Sequence, residues 1–159
     1  MAGTYSQIYV QIVFTVKKRE HLIPKANQEE LFEYISGIIR TKGQKAIIVN
    51  GVANHIHAFI GLKPDTKISD LVRDIKNNST NFINLQKWLN RKFSWQTGYG
   101  VFSYGQSQIE IVYNYIMNQE NHHKKKSFRE EYLEFLEKFE IKFDPKYLFD
   151  WIEIEPVEE

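Results

Sequence analysis

The chain has 159 residues, of which 42% are hydrophobic, enough for one globular domain spanning 1–159 with a sizeable core and too few for an independent second domain. Met1–Val10 lacks the basic and apolar regions of a secretory signal, no apolar run approaches the ~20 residues of a membrane span, and the lack of cysteine excludes disulfide and thiol chemistry, all of which suits a cytoplasmic protein. The net charge of +1 hides an uneven distribution, with Glu153, Glu155, Glu158 and Glu159 crowding the C-terminus against basic clusters at Lys17-Lys18-Arg19, at Arg40, Lys42 and Lys45, and at His122 to Lys126. Such clusters can neutralise phosphates, and they also occur as plain solvated surface.

From Ser6 to Val16 the residues Ile8, Val10, Ile12, Phe14 and Val16 alternate onto one face, the period of a half-buried strand. Pro24 breaks the chain. Asn27 to Lys42 carries Leu31, Ile35, Ile38 and Ile39 at helical spacing, and Gly43 suits the left-handed residue that ends a helix. Ala46 to Val52 and His55 to Leu62 read as two strands joined by a turn near Ala53–Asn54. A longer helix is expected from Ser69 to about Leu89, with Val72, Ile75, Phe82 and Leu89 facing inward. Gly98, Tyr99 and Gly100 lead into a short strand at Val101 to Tyr104. Ser107-Gln-Ile-Glu110 has the form of a capping box and predicts a helix to about Asn121. Ser127-Phe-Arg-Glu130 repeats the signal for a last helix with the stripe Leu133, Leu136 and Phe139. Asp144-Pro145 ends regular structure, and Tyr147 to Trp151 is expected to pack back onto the domain.

The order β-α-β-β-α-β followed by two helices is the split βαβ, or ferredoxin-like, pattern of the α/β (α+β) class. It places two helices on one face of an antiparallel sheet. The other face is open unless the C-terminal helices or a partner chain cover it, and an open face is one that can house a site.

Two clusters carry chemistry. In a strand, His55 and His57 project from one face while Ile56, Ala58, Ile60 and Leu62 project from the other, which marks the core side. Two convergent imidazoles make a natural metal pair, and they are also compatible with an inert solvated face. On a helix, Tyr115 and Gln119 lie one above the other, apart from the stripe Ile109, Val112 and Ile116. Alone, Tyr115 also fits an amphipathic tyrosine at a helix edge, and Tyr113 reads as packing.

Together the clusters resemble the HUH single-tyrosine transposases of small bacterial insertion sequences, including the branch associated with repetitive extragenic palindromes. The resemblance takes in His55-Ile56-His57, Tyr115 and Gln119, the opening strand before Lys17-Lys-Arg-Glu20, Trp95-Gln-Thr-Gly-Tyr-Gly100, and His122-His123. It implies a transposase that cleaves and rejoins single-stranded DNA through a 5′-phosphotyrosine on Tyr115. The resemblance also implies a divalent metal, magnesium or manganese, held by His55, His57 and Gln119, and recognition of a DNA hairpin. Some members are dimers that exchange the tyrosine helix; others are monomers. DNA contacts are expected from Lys17, Lys18, Arg19, Lys124, Lys125 and Lys126, with Trp95 and Tyr99 either stacking on bases or packing in the core. Two alternatives remain: a domesticated single-strand endonuclease acting on palindromic repeats, and a non-catalytic module that stacks bases on its sheet.

Overall fold

A computed structural model describes residues 2–154 of the chain, so Met1 and the acidic Glu155, Glu158 and Glu159 lie outside the described residues. Four strands, β1 (Tyr9–Thr15), β2 (Lys45–Val52), β3 (His55–Gly61) and β4 (Gly100–Tyr104), form one sheet in the order β2-β3-β1-β4. Every neighbouring pair is antiparallel. This is the ferredoxin-like order. Helices α1 (Lys25–Thr41) and α2 (Ile68–Gln86) make the two crossovers, and α3 (Ile109–Met117), α4 (Gln119–His122) and α5 (Phe128–Lys138) follow the sheet. Among the described residues no helix is long and apolar enough to cross a membrane.

The first sheet face carries Val10, Ile12, Phe14, Ile56, Ala58 and Ile60 against Leu31, Ile35 and Ile39 of α1 and Leu71, Val72 and Ile75 of α2. Burial of this apolar set drives the layer, at roughly 25 cal/mol per Å². Ile8 lies outside the core, 38% exposed. In α2 the inward position belongs to Ile83, while Phe82 stacks on Tyr34 with ring centroids 3.9 Å apart. That helix ends at Gln86 and not at Leu89, because Lys87 turns left-handed at φ 56°. A Cβ on Gly51 would collide with the backbone carbonyl of His55, so only glycine lets β2 lie this close to the start of β3.

The second face is not half-exposed. Gln11, Val13, Thr15, His55, His57 and Phe59 are all buried there. Val112 and Ile116 of α3 cover Phe59, and Phe128, Tyr132, Phe135 and Leu136 of α5 cover Val13 and Phe102. The C-terminal helices of the chain itself close the face, which leaves the sheet no surface for stacking bases.

Ser107 does not cap α3 as predicted. Residues 106–108 form a 3₁₀ turn whose Gln108 Oε1 accepts from the Gly105 N–H at 3.0 Å, and the α-helix starts at Ile109. The expected continuous helix is broken at Asn118 (φ −91°, ψ 18°). Asn50 Nδ2 from β2 donates to the freed carbonyls of Ile116 at 2.8 Å and Met117 at 3.2 Å. Ser127 does cap α5, its Oγ accepting from the Glu130 N–H at 3.2 Å. The buried stripe of α5 is Phe128, Glu131, Tyr132, Phe135 and Leu136, with Leu133 and Phe139 only partly buried. Beyond it Phe149 and Trp151 return to this cluster, tied down where Asp150 N–H donates to Gln96 Oε1 (2.8 Å) and Gln96 Nε2 to Asp150 O (2.6 Å).

Candidate active site

Strand alternation sends His55 and His57 onto the second face, where neither is exposed at all. The break at Asn118 starts α4 at Gln119, which is also fully buried. His123 follows directly after α4, and α5 brings Glu131 over the same point. The ligand atoms of His55, His57, His123 and Glu131 all lie within 4.8 Å of one another.

Each imidazole is oriented by a bond at its far nitrogen. Nδ1 of His55 faces Asn54 Oδ1 at 2.6 Å, Nδ1 of His57 faces Gln11 Oε1 at 2.6 Å, and Nδ1 of His123 faces the Lys126 carbonyl at 2.9 Å. An oxygen acceptor at Nδ1 keeps the proton there and turns the Nε2 lone pair toward the cluster. The Asn54 amide is itself fixed, since its Nδ2 donates to Ile152 O at 2.8 Å.

Tyr115 sits half-buried at the edge of this cluster and donates its hydroxyl proton to Glu131 Oε2. Gln119 Nε2 donates to the same oxygen at 3.2 Å, which turns the Gln119 Oε1 atom toward His55 at 3.1 Å and His123 at 2.9 Å. Glu131 Oε1 lies 3.1 Å from His57 Nε2. The His122 ring stands 4.5 Å from that of Tyr115.

Burial pushes His55 down to about 4, which keeps its imidazole neutral at pH 7. Burial alone would raise the Glu131 carboxyl, but the neighbouring His57, with the His123 and His55 rings beside it, holds it below the usual carboxylate range. Burial, then the Glu131 charge, raises the Tyr115 hydroxyl well above its ordinary value. The phenol resists ionisation until that negative charge is offset. A divalent ion fits this donor set: imidazoles, an amide oxygen and a carboxylate.

The residues expected at the chemistry, His55, His57, Tyr115 and Gln119, thus meet within one chain, with no exchange of the tyrosine helix needed. Glu131 and His123 were not expected there. Glu131 breaks the apolar stripe of α5, and that interruption was the available signal. Of the two readings for Trp95, the structure shows the packing one: it is 8% exposed, packs edge-on to Phe14 and Phe93, and donates Nε1–H to Ser79 Oγ at 2.9 Å. Tyr99 is 37% exposed, near Lys76 Nζ. Lys17, Lys18, Lys124 and Lys125 are exposed. Arg19 Nη1 donates to Glu153 O at 3.4 Å, and Lys126 pairs with Glu134 at 2.6 Å.

Comparison with known proteins gives the family and the fold neighbours. A family model described as "Transposase IS200 like" matches residues 4–119. A solved structure assigned as a transposase from Deinococcus radiodurans R1 superposes with a TM-score of 0.58 at 17% identity, over 75% of this chain and 95% of its own. A REP-associated tyrosine transposase bound to a REP hairpin gives 0.58 at 16% identity, over 77% of this chain and 73% of its own. No curated protein matches the sequence.

Proposed function

The chain belongs to the IS200-like transposase family and is a single-tyrosine DNA transposase; from that premise we propose that Tyr115 is the nucleophile and that His55, His57 and Gln119 hold a divalent metal beside it. The observation that carries the reading is the meeting of Tyr115 with the histidine cluster through one carboxylate: Glu131 Oε2 accepts the Tyr115 hydroxyl while Oε1 lies 3.1 Å from His57 Nε2. A bound magnesium or manganese ion would supply Lewis-acid polarisation of a phosphate oxygen.

Glu131 holds the Tyr115 proton at Oε2 and takes it as the phenol oxygen attacks phosphorus. The P–O3′ bond breaks, the 3′ oxygen takes a proton from solvent, and the 5′ phosphate remains on Tyr115. Because the ester is kept, another 3′-hydroxyl can attack it and join new ends without ATP. Packing by Phe135 and His122 against the Tyr115 ring fixes the direction of attack.

The substrate is single-stranded DNA with a hairpin beside the cleavage point, and the work is done in the cytoplasm. Support comes from the REP hairpin held by the similarly folded protein and from the exposed Lys17, Lys18, Lys124 and Lys125. The same neighbour favours a second reading, a domesticated single-strand endonuclease acting on palindromic repeats. Incubation with the single strands of the flanking DNA, in magnesium or manganese, should give a covalent protein–DNA adduct. Tyr115→Phe should give none, Tyr113→Phe should keep it, and chelation should stop it reversibly. An adduct from Tyr115→Phe would overturn the assignment.

A further inference from the structure

We propose that His123 and Glu131 are themselves metal ligands, making a centre of three imidazoles, one amide and one carboxylate that selects a transition-metal ion such as Mn²⁺, Co²⁺ or Zn²⁺ over Mg²⁺. The proposal rests on the reading of His55, His57 and Gln119 as a metal site and extends it by two donors. Both lie beyond residues 4–119, the part matched by the family model, and so belong to this chain's own C-terminal segment.

A neutral imidazole carries one N–H, and in His55, His57 and His123 it faces an oxygen at Nδ1. All three Nε2 atoms therefore bring lone pairs to the cluster. Gln119 brings its amide oxygen, because its Nε2 is committed to Glu131 Oε2. Glu131 adds Oε1. Five acceptors thus converge in a space whose histidine and glutamate side chains are between 0% and 8% exposed. With water excluded, lone pairs facing lone pairs repel unless positive charge lies among them.

The spacing matches direct coordination. Two donors bonded to one ion at ~2.1 Å lie about 3.0 Å apart at a right angle and about 3.4 Å apart at a tetrahedral angle. Glu131 Oε1 is 3.1, 3.3 and 3.4 Å from the Nε2 atoms of His57, His123 and His55. Gln119 Oε1 is 2.9 and 3.1 Å from His123 and His55. These five contacts link all five atoms around one centre.

The chemistry of the set decides the ion. Imidazole suits the borderline first-row metals, whereas Mg²⁺ prefers oxygen donors and keeps its waters. Because Oε2 of the same carboxylate accepts the Tyr115 hydroxyl, a ligated Glu131 would fix the nucleophile and pin α5 to the sheet at once.

The test uses the full chain, stripped of metal and titrated calorimetrically with Mn²⁺ and with Mg²⁺, together with X-ray absorption of the zinc-loaded protein. Mn²⁺ should bind at least tenfold tighter than Mg²⁺, and the absorption fine structure should count three imidazoles. Glu131→Gln and His123→Ala should each weaken Mn²⁺ binding by about tenfold or more, and His123→Ala should lower the count to two. The wild-type spectrum needs no variant to fold. Two imidazoles in the wild type, with Mn²⁺ affinity unchanged in both variants but lost in His55→Ala, would overturn the proposal and leave the three-residue site standing. Failure of the wild type to bind any divalent ion would overturn both.

Discussion

Tyr115 and Glu131 pose the central electrostatic problem of the site. The carboxylate that accepts the Tyr115 hydroxyl bond also raises the phenol, so the pair resists ionisation until cationic charge offsets Glu131. The neutral His55 is the counterpart. Burial lowers His55 to about 4 and lowers His21 as well, so between about pH 6.5 and that value the unfolded chain binds protons that the folded chain does not. Their contribution is present above about 6.5 and is lost as pH falls through this window. In chelator, thermal unfolding should therefore occur at a lower midpoint at about pH 5 than at about pH 7. An unchanged midpoint would contradict a buried neutral His55. Strand and helix periods put His55 with His57, and Tyr115 with Gln119, on one side each, and only the resemblance to the single-tyrosine transposases singled the two pairs out as a site. Glu131 was not, since a glutamate in the first turn of a helix reads as a solvated partner of the helix dipole. His123 was absorbed into a basic run for the same reason: local sequence does not show which side of a turn meets a sheet.

Helix α5 ties the site's stability to its chemistry. A Cβ on Gly100 of β4 would stand 2.7 Å from the Tyr132 hydroxyl and 2.9 Å from its ring, so the helix approaches as closely as the missing side chain allows. Gly100→Ala should displace Tyr132, cost about 1–3 kcal/mol as overpacking does, and weaken Mn²⁺ binding through Glu131. Gly37→Ala in α1, where a Cβ meets nothing within 4 Å, should instead add about 0.5–1 kcal/mol. Denaturant titration of both variants checks the pair; a Gly100→Ala protein as stable as wild type would mean that α5 is held loosely. The Ser127→Ala variant should lose about 1 kcal/mol with the cap. Two Ser-x-x-Glu signals looked alike in the sequence, yet only Ser127 caps a helix. At Ser107 the nearby Gln108 answers the Gly105 N–H first and draws the chain into a 3₁₀ turn. The break at Asn118 was equally hidden, because the group that stabilises it, Asn50, lies on a strand far away in the chain.

At the scale of the whole molecule, the strand order followed from the alternation of elements, while the closure of the second sheet face did not. Gln11 and Val13 in β1 looked like the outer side of a half-buried strand; α3 and α5 turn that side into a second interior that holds the site. Because Tyr115 reaches Glu131 and His57 within one chain, cleavage should be performed in cis. A mixture of His55→Ala and Tyr115→Phe proteins should then stay inactive on single-stranded DNA, whereas sites completed by exchange would recover activity in mixed dimers. The whole mechanism rests on the identity of the attacking oxygen. Trapping the cleavage product, digesting the protein and locating the attached nucleotide by mass spectrometry should place a 5′-phosphodeoxynucleotide on Tyr115; attachment to Tyr113 or to any other residue would contradict it.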